Sequence, residues 1–308
     1  MPDFIHQPVL LAEAVAALQP KPGGHYADGT LGGAGHAAAI LAASSPTGFL
    51  FGCDRDGDAV SAARARLAEF AGRFEIRQGN YADLAEWIEE KSCDGVLLDL
   101  GVSSVQLDRP ERGFSFQADG PLDMRMDTRQ TLTAAKLLKE LSAEELAKIF
   151  WEFGGEENSR RIARAIEHDR NLRPFERTKQ LAEMIERISP RAGKRAHPAT
   201  KVFQALRIAV NQELSSLQRG LEAAMKILKP GGRLAVICFH SSEDRVVKQF
   251  GRRLARDYEA GAVDVPELRR PRPPLVNLVT RKPIAPGEDE LKKNPRSRSA
   301  QLRVLQKI

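Results

Sequence analysis

Cysteine is nearly absent: three residues in 308, Cys53, Cys93 and Cys238, with no C-x-x-C pair among them. That argues against a disulfide framework or a thiolate metal site and leaves three small hydrophobes in or beside apolar strand-like runs. The six histidines show no ligand spacing with one another or with the cysteines, so no metal is expected. No apolar run approaches the roughly 20 residues of a membrane span. Residues 1–4 (MPDF) lack the basic stretch and apolar core of a signal peptide, so the expected location is the cytoplasm, away from membranes.

What is present is the balance of a globular protein, 42% hydrophobic and 29% charged, in a chain long enough for one full core and a second domain. The formal net charge is +6, and basic residues crowd the last forty positions from Arg269 to Arg303. Such a stripe suits contact with a polyanion, and suits equally a solvated tail.

The first hundred residues alternate strand and helix signals. Strands are expected at 24–28, 48–54, 74–77 and 95–99, with helices at 36–43, 58–70 and 84–90 between them. This rhythm implies βαβ units and a parallel sheet covered on both faces. From 103 to 198 no strand is evident, and a capping pattern at 142–145 leads into amphipathic helices at 146–153, 156–169 and 178–188. The rhythm resumes with one long helix or two over 200–228, a strand at 233–239 and a Ser-capped helix at 242–257. Two antiparallel edge strands follow at 275–281 and 300–305. The expected fold is α/β, a doubly wound, mostly parallel Rossmann-like sheet (1–106 and 200–308) with an inserted all-helical domain (107–199).

In an open parallel sheet, ligands bind beyond the carboxyl ends of the strands where strand order reverses. The first strand ends in Asp28-Gly29-Thr30-Leu31-Gly32-Gly33-Ala34-Gly35-His36, whose glycines let backbone approach a ligand. The second ends at Asp54, placed to accept two ribose hydroxyls or to cap the next helix. The third ends near Tyr81, which either stacks on an adenine or wedges against the sheet.

Two cofactor classes fit these residues, a nicotinamide dinucleotide and S-adenosylmethionine. The turn 228–234 (LKPGGRL) and the antiparallel end of the sheet resemble methyltransferases, and no residue arrangement suited to hydride chemistry is evident. Residues 98–108 (LDLGVSSVQLD), 112–116 (RGFSF) and 119–127 (DGPLDMRMD) then closely resemble the bacterial MraW/RsmH family of 16S ribosomal RNA cytosine-N4 methyltransferases. Further matches are His6-Gln7-Pro8-Val9-Leu10-Leu11, His197-Pro198-Ala199-Thr200, residues 203–208 (FQALRI), 239–245 (FHSSEDR) and 294–299 (NPRSRS), so the resemblance spans nearly the whole chain.

The resemblance implies a class I methyltransferase that uses S-adenosyl-L-methionine and acts on 16S ribosomal RNA within the small subunit, as a monomer or homodimer. It places cofactor contacts on Ala34, Gly35, His36, Asp54, Tyr81, Asp99 and Gln106. Where the family commonly has Gly-Gly-His, this chain has Ala34-Gly35-His36, so Ala34 is expected to keep a negative φ. The family's acceptor is a cytosine amine, and Asp99 is a candidate to take its proton. The Asp/Asn-Pro-Pro-aromatic template of DNA amino-methyltransferases is absent, since Asp99 is followed by Leu100-Gly101-Val102. A flipped base needs an aromatic pocket, for which Phe114, Phe116 and Arg125 are candidates. The same residues can instead anchor a long loop. A non-catalytic RNA-binding or assembly protein on this fold is the competing function.

Overall fold

The computed structural model describes residues 8–190, 197–261 and 264–308. His6 and Gln7 of the first family motif lie outside the described residues, as do residues 1–4. The chain forms two compact units, one of residues 1–101 and 214–308 and the other of residues 102–213.

The first unit is built on β1 (His25–Asp28), β2 (Phe49–Asp54), β3 (Phe74–Gln78), β4 (Cys93–Asp99) and β5 (Leu228–Cys238). It also holds two short paired strands, β6 (Tyr258–Glu259) and β7 (Arg270–Pro271), then β8 (Val276–Leu278) and β9 (Gln301–Lys307). The main sheet runs β3-β2-β1-β4-β5-β9-β8. Strands β1 to β5 pair in parallel, while β9 lies antiparallel between β5 and β8. Both faces are covered, which is why β4 and β5 read as apolar runs rather than alternating ones. Strand order reverses between β1 and β4, so their carboxyl ends flank the crevice of a doubly wound sheet.

Helices of this unit are α1 (Leu11–Leu18), α2 (Gly35–Ala43) and α3 (Gly57–Arg66). The second unit holds α4 (Ser104–Asp108), α5 (Ala134–Glu140), α6 (Ala143–Gly154), α7 (Ser159–Asp169), α8 (Thr178–Ile188) and α9 (Thr200–Asn211). The chain then returns to the first unit with α10 (Glu213–Ile227), α11 (Ser241–Leu254) and α12 (Glu288–Lys293). The turn expected at 230–232 lies inside β5: pairing with β4 jumps from Cys93–Leu228 to Gly95–Arg233, and the intervening residues bulge out with Gly231 at φ 80°. The helix expected at 84–90 is a 3-10 turn over Tyr81–Glu86, because Asn80 accepts from Ala82 and starts it three residues early. Helix α11 begins at Ser241, so Ser242 is not its cap. Its cap residue is His240, paired in a capping box with Glu243, which accepts from the N–H groups of Phe239 and His240.

The long helical stretch after residue 200 is two helices. Gln212 breaks it with φ 49°, and the break coincides with the division between units. Helix α9, expected in the sheet domain, belongs to the helical unit: Val202, Phe203, Leu206 and Val210 pack in one core with Leu146, Phe150, Ile162 and Leu181. An apolar face matched to α6 outweighs the sequence rhythm that suggested otherwise. Within this core Arg207 and Glu213, each 9% exposed, form a two-pronged ion pair with both contacts at 2.8 Å. Removing one partner strands a buried charge. Glu213→Gln is therefore expected to destabilise the protein by about 3 kcal/mol in urea denaturation, far beyond the effect of a surface pair.

Candidate active site

Three carboxylates stand at the carboxyl ends of neighbouring strands: Asp28 on β1, Asp54 on β2 and Asp99 on β4. Parallel strands in this order deliver them to one end of the sheet, whatever the intervening loops do. Their surroundings differ, and the differences set what each can bind.

Asp54 accepts the Gly32 N–H through Oδ2 (2.8 Å) and the Asp56 N–H through Oδ1 (2.9 Å). It thereby ties the end of β2 to the glycine loop. The cap of α3 is Asp56, which accepts from Asp58, so the capping role that competed for Asp54 is taken. Each Asp54 oxygen keeps acceptor capacity, as two ribose hydroxyls require. Burial raises its pKa, against the pull of those two N–H groups.

Asp28 is 1% exposed. Its Oδ1 accepts from Thr30 N–H (3.0 Å), but its Oδ2 has no hydrogen-bond partner among the described residues. Burial pushes its pKa up to about 7, with the Asp54 charge adding to the rise. Asp99 receives less help still. Its backbone N–H is held by Thr30 Oγ1 (2.6 Å), while its Oδ1 is buried without a partner. Burial, then the charges of Asp28 and Glu243, raise its pKa well above the carboxylate range. An orphaned buried oxygen costs about 1–3 kcal/mol, so two together mark a site prepared for a ligand with donors or positive charge. Asp28 was not among the sequence candidates. It looked like a strand end, and only packing reveals its unpartnered oxygen.

The glycine loop runs over these acids. At Gly32, φ is 48° and nothing lies within 4 Å of where a Cβ would stand, so backbone can approach a ligand there. At Gly35 a Cβ would meet the Pro8 ring at 2.6 Å, so the turn before α1 packs directly on the start of α2. His36 is 5% exposed; its Nε2 lies 3.0 Å from Val9 O, and its Nδ1 lies 3.7 Å from Asp99 Oδ2. The ring thus braces the loop as well as facing the strand-end acid. Ala34 contradicts its expectation. It sits in the left-handed region at φ 55°, ψ 28°, as the cap residue of α2. Position, not side chain, decides this: the loop must reverse to enter the helix, and alanine bears strain there that glycine would avoid.

Tyr81 is 9% exposed, with its ring over Gly220 of α10, where any Cβ would collide with it. One ring face is therefore committed to packing. The wedge reading describes this structure, and an adenine has access only to what remains of the ring.

The remaining candidates lie in the helical unit. Gln106 closes a capping box: its Oε1 accepts from Ser103 N–H and its own N–H donates to Ser103 Oγ. Phe114, 7% exposed, packs in the core with Leu122 and Met124. Phe116 is half-buried, its ring 4.7 Å from those of both His197 and Phe203. Arg125 is likewise structural: its guanidinium grips both oxygens of Asp123 and the carbonyls of Thr128 and Gln130. Asn211 of α9 holds the same loop, donating to Met124 O and accepting from Met126 N–H. These residues anchor the long loop. Among the described residues no group of three His, Cys, Asp or Glu is arranged to hold a metal.

A family model described as the MraW methylase family matches residues 3–308. Proteins named ribosomal RNA small subunit methyltransferase H from Geobacter sp. (strain M21) and Citrifermentans bemidjiense are 51% and 52% identical over 313 residues. Each alignment covers 100% of this chain and 100% of the relative. A solved rRNA methylase structure from Streptococcus thermophilus overlays with TM-score 0.40 at 10% identity, covering 97% of this chain and 93% of that one.

Two outcomes follow from the loop and the acids. Ala34→Gly relieves a left-handed alanine and should raise unfolding free energy by about 1 kcal/mol, where an ordinary helix-start Ala→Gly change lowers it. The folded pKa of Asp28, near 7, exceeds its unfolded value of about 3.9, so the unfolded state holds fewer protons above pH 4. Its contribution is complete below pH 4 and is lost as pH rises through 7, by up to about 4 kcal/mol. Ligand-free protein should be more stable to urea at pH 5 than at pH 8; a flat or rising profile contradicts the assignment. Asp94, held down to about 2 by Lys229, His25 and Lys21 against the effect of burial, works the opposite way only below pH 4.

Proposed function

Because this chain belongs to the MraW methylase family, we propose that its strand-end acids hold S-adenosylmethionine for methyl transfer to the exocyclic N4 amine of a cytidine in small-subunit (16S) ribosomal RNA. The observation that carries the site assignment is the pair of orphaned acid oxygens, on Asp28 and Asp99, beside an open glycine loop. A nucleoside bearing a sulfonium and an ammonium offers the positive charge and donors that those oxygens lack. The residues present therefore fit the group.

When bound, S-adenosylmethionine supplies a methyl group already activated by its positively charged sulfur. The chain supplies position and a dry cleft. Asp54 accepts the ribose hydroxyls, with its carboxylate pre-set by Gly32 and Asp56. Asp28 and Asp99, at the switch point, would supply counter-charge to the cationic part of the cofactor, whose charge lowers their pKa values. Gly35 and His36, braced by Pro8 and Val9, keep the loop closed over the acids. Tyr81 contributes an edge to the adenine side. We assign Asp99 to cofactor charge: burial and then the Asp28 charge raise its pKa in the ligand-free protein, and a cation beside it lowers the pKa again.

For the RNA, the helical unit offers exposed Arg160, Arg161 and Arg164 along α7 and Arg173 beyond it, and we propose that this unit contacts the ribosomal RNA within the small subunit. Phe116, half-buried in that unit, is proposed as the aromatic contact for the base. A nicotinamide enzyme is disfavoured by the antiparallel β9 inside the main sheet, and a non-catalytic binder by the intact Asp28, Asp54 and Asp99.

Asp54→Ala removes a charged acceptor serving two hydroxyls and should weaken cofactor binding at least about tenfold in calorimetry. With methyl-labelled cofactor and unmodified small subunits, label should appear on N4-methylcytidine after digestion. Label on another nucleoside, or none, contradicts the assignment.

A further inference from the structure

At the far edge of the first unit's sheet, α11 crosses β8 and β9 and leaves a cleft. It is lined by Lys248 and Arg252 from α11, Thr280 and Arg281 just past β8, and Arg303 from β9. Its making is local. Gly251 has no side chain, and a Cβ there would meet Leu305 at 2.8 Å and Leu278 at 3.2 Å, so α11 lies directly on the sheet edge. Positions 244, 248 and 252 follow at i, i+4 spacing and share one helix face. Along that face Asp244 is committed to Arg303, whose guanidinium contacts both its oxygens. Lys248, Arg252 and Arg281 are exposed, and none makes a hydrogen bond or ion pair with a described residue. Thr280 Oγ1 accepts from Val304 N–H (2.9 Å), which leaves its own proton free to donate.

The charges do not balance. Four cations face one carboxylate, and three of them have no partner among the described residues. Like charges gathered without a structural counter-ion repel one another, and a cluster of this kind gains most from an anion outside the chain. About 20 Å³ of the cleft admits water-sized groups, enough for projecting phosphate oxygens to enter. Arg303, fixed by Asp244, forms a rigid floor, while the long side chains of Lys248, Arg252 and Arg281 close from the rim. This is an arrangement for a chain of phosphates running past, with no feature that reads sequence.

We propose that this α11–β8 cleft is a docking site for the phosphodiester backbone of the RNA substrate, separate from the strand-end acids and contributing to affinity, not to methyl transfer. The inference rests on the proposed RNA substrate. It adds a second contact, on the sheet unit itself, to any made by the helical unit.

The test compares wild-type protein with K248A/R252A/R281A, a variant whose changed side chains make no hydrogen bond or ion pair with a described residue. Methylation of unmodified small subunits is followed across a salt series, and S-adenosylmethionine binding is measured by calorimetry. Cofactor affinity should be unchanged, which also shows that the variant folds. KM for subunits should rise about tenfold with kcat retained, and the slope of log affinity against log salt should become shallower by about two. The single reversal Lys248→Glu should raise KM in the same direction. An unchanged KM and salt slope overturns the proposal, as does a fall in kcat at constant KM, which would tie these residues to the reacting groups. Failure of the underlying substrate assignment is seen separately, as absence of methylation by the wild-type protein.

Discussion

Desolvation of acids at one end of a parallel sheet is the constraint on which the site depends. Asp28 and Asp99 carry their carboxyl groups into a region with too few donors, so each keeps an oxygen with no partner. Nothing in the fold requires this. Either position could have held an apolar residue at lower cost in the ligand-free state. The surrounding structure instead preserves the deficit: Thr30 holds Asp28 through its N–H and Asp99 through its backbone, and Asp54 spends its charge on Gly32 and Asp56. The result is a crevice whose electrostatics are completed by a cationic ligand.

The loop above the acids is held from outside its own sequence. Its brace is the turn before α1, through Pro8 on Gly35 and Val9 on His36. That turn is held in its own right by Glu290 of α12, whose Oε1 accepts the Leu10 N–H at 2.9 Å. A charged group 280 positions away thus caps the first helix of the protein. The C-terminal segment, with its basic residues, is therefore part of the architecture of the cofactor loop and not only a tail. The charge cluster on α11 and β8 belongs to the same half of the sheet, beyond the antiparallel strand β9.

Much of this was legible in the sequence, for physical reasons. The buried strands announced themselves as apolar runs ending in Asp28, Asp54 and Asp99, and the helices α6 to α8 by their amphipathic period. Helix α1 was not legible because its start has no capping side chain nearby; Leu10 is left-handed and the cap is Glu290. Helix α5 was missed because seven residues are too few for a period to show. The boundary at residue 200 was misplaced because α9 follows the sheet's rhythm in sequence but joins the helical core in space. Within the candidate site, the strand-end position of Asp54 was legible, whereas burial and contacts were not: Phe114 packs in a core, Arg125 grips Asp123, Ala34 takes a positive φ, and Asp28 keeps an oxygen without a partner among the described residues.

Burial raises the pKa values of Asp28 and Asp99 in the ligand-free protein, and a bound cation draws protons from them. The most direct measurement is proton release on binding S-adenosylmethionine, obtained at pH 6.5 from calorimetry in two buffers of different ionisation enthalpy. Linkage predicts net release, because positive charge beside Asp28 and Asp99 lowers their pKa values. Binding with no proton released, or with uptake, would contradict it.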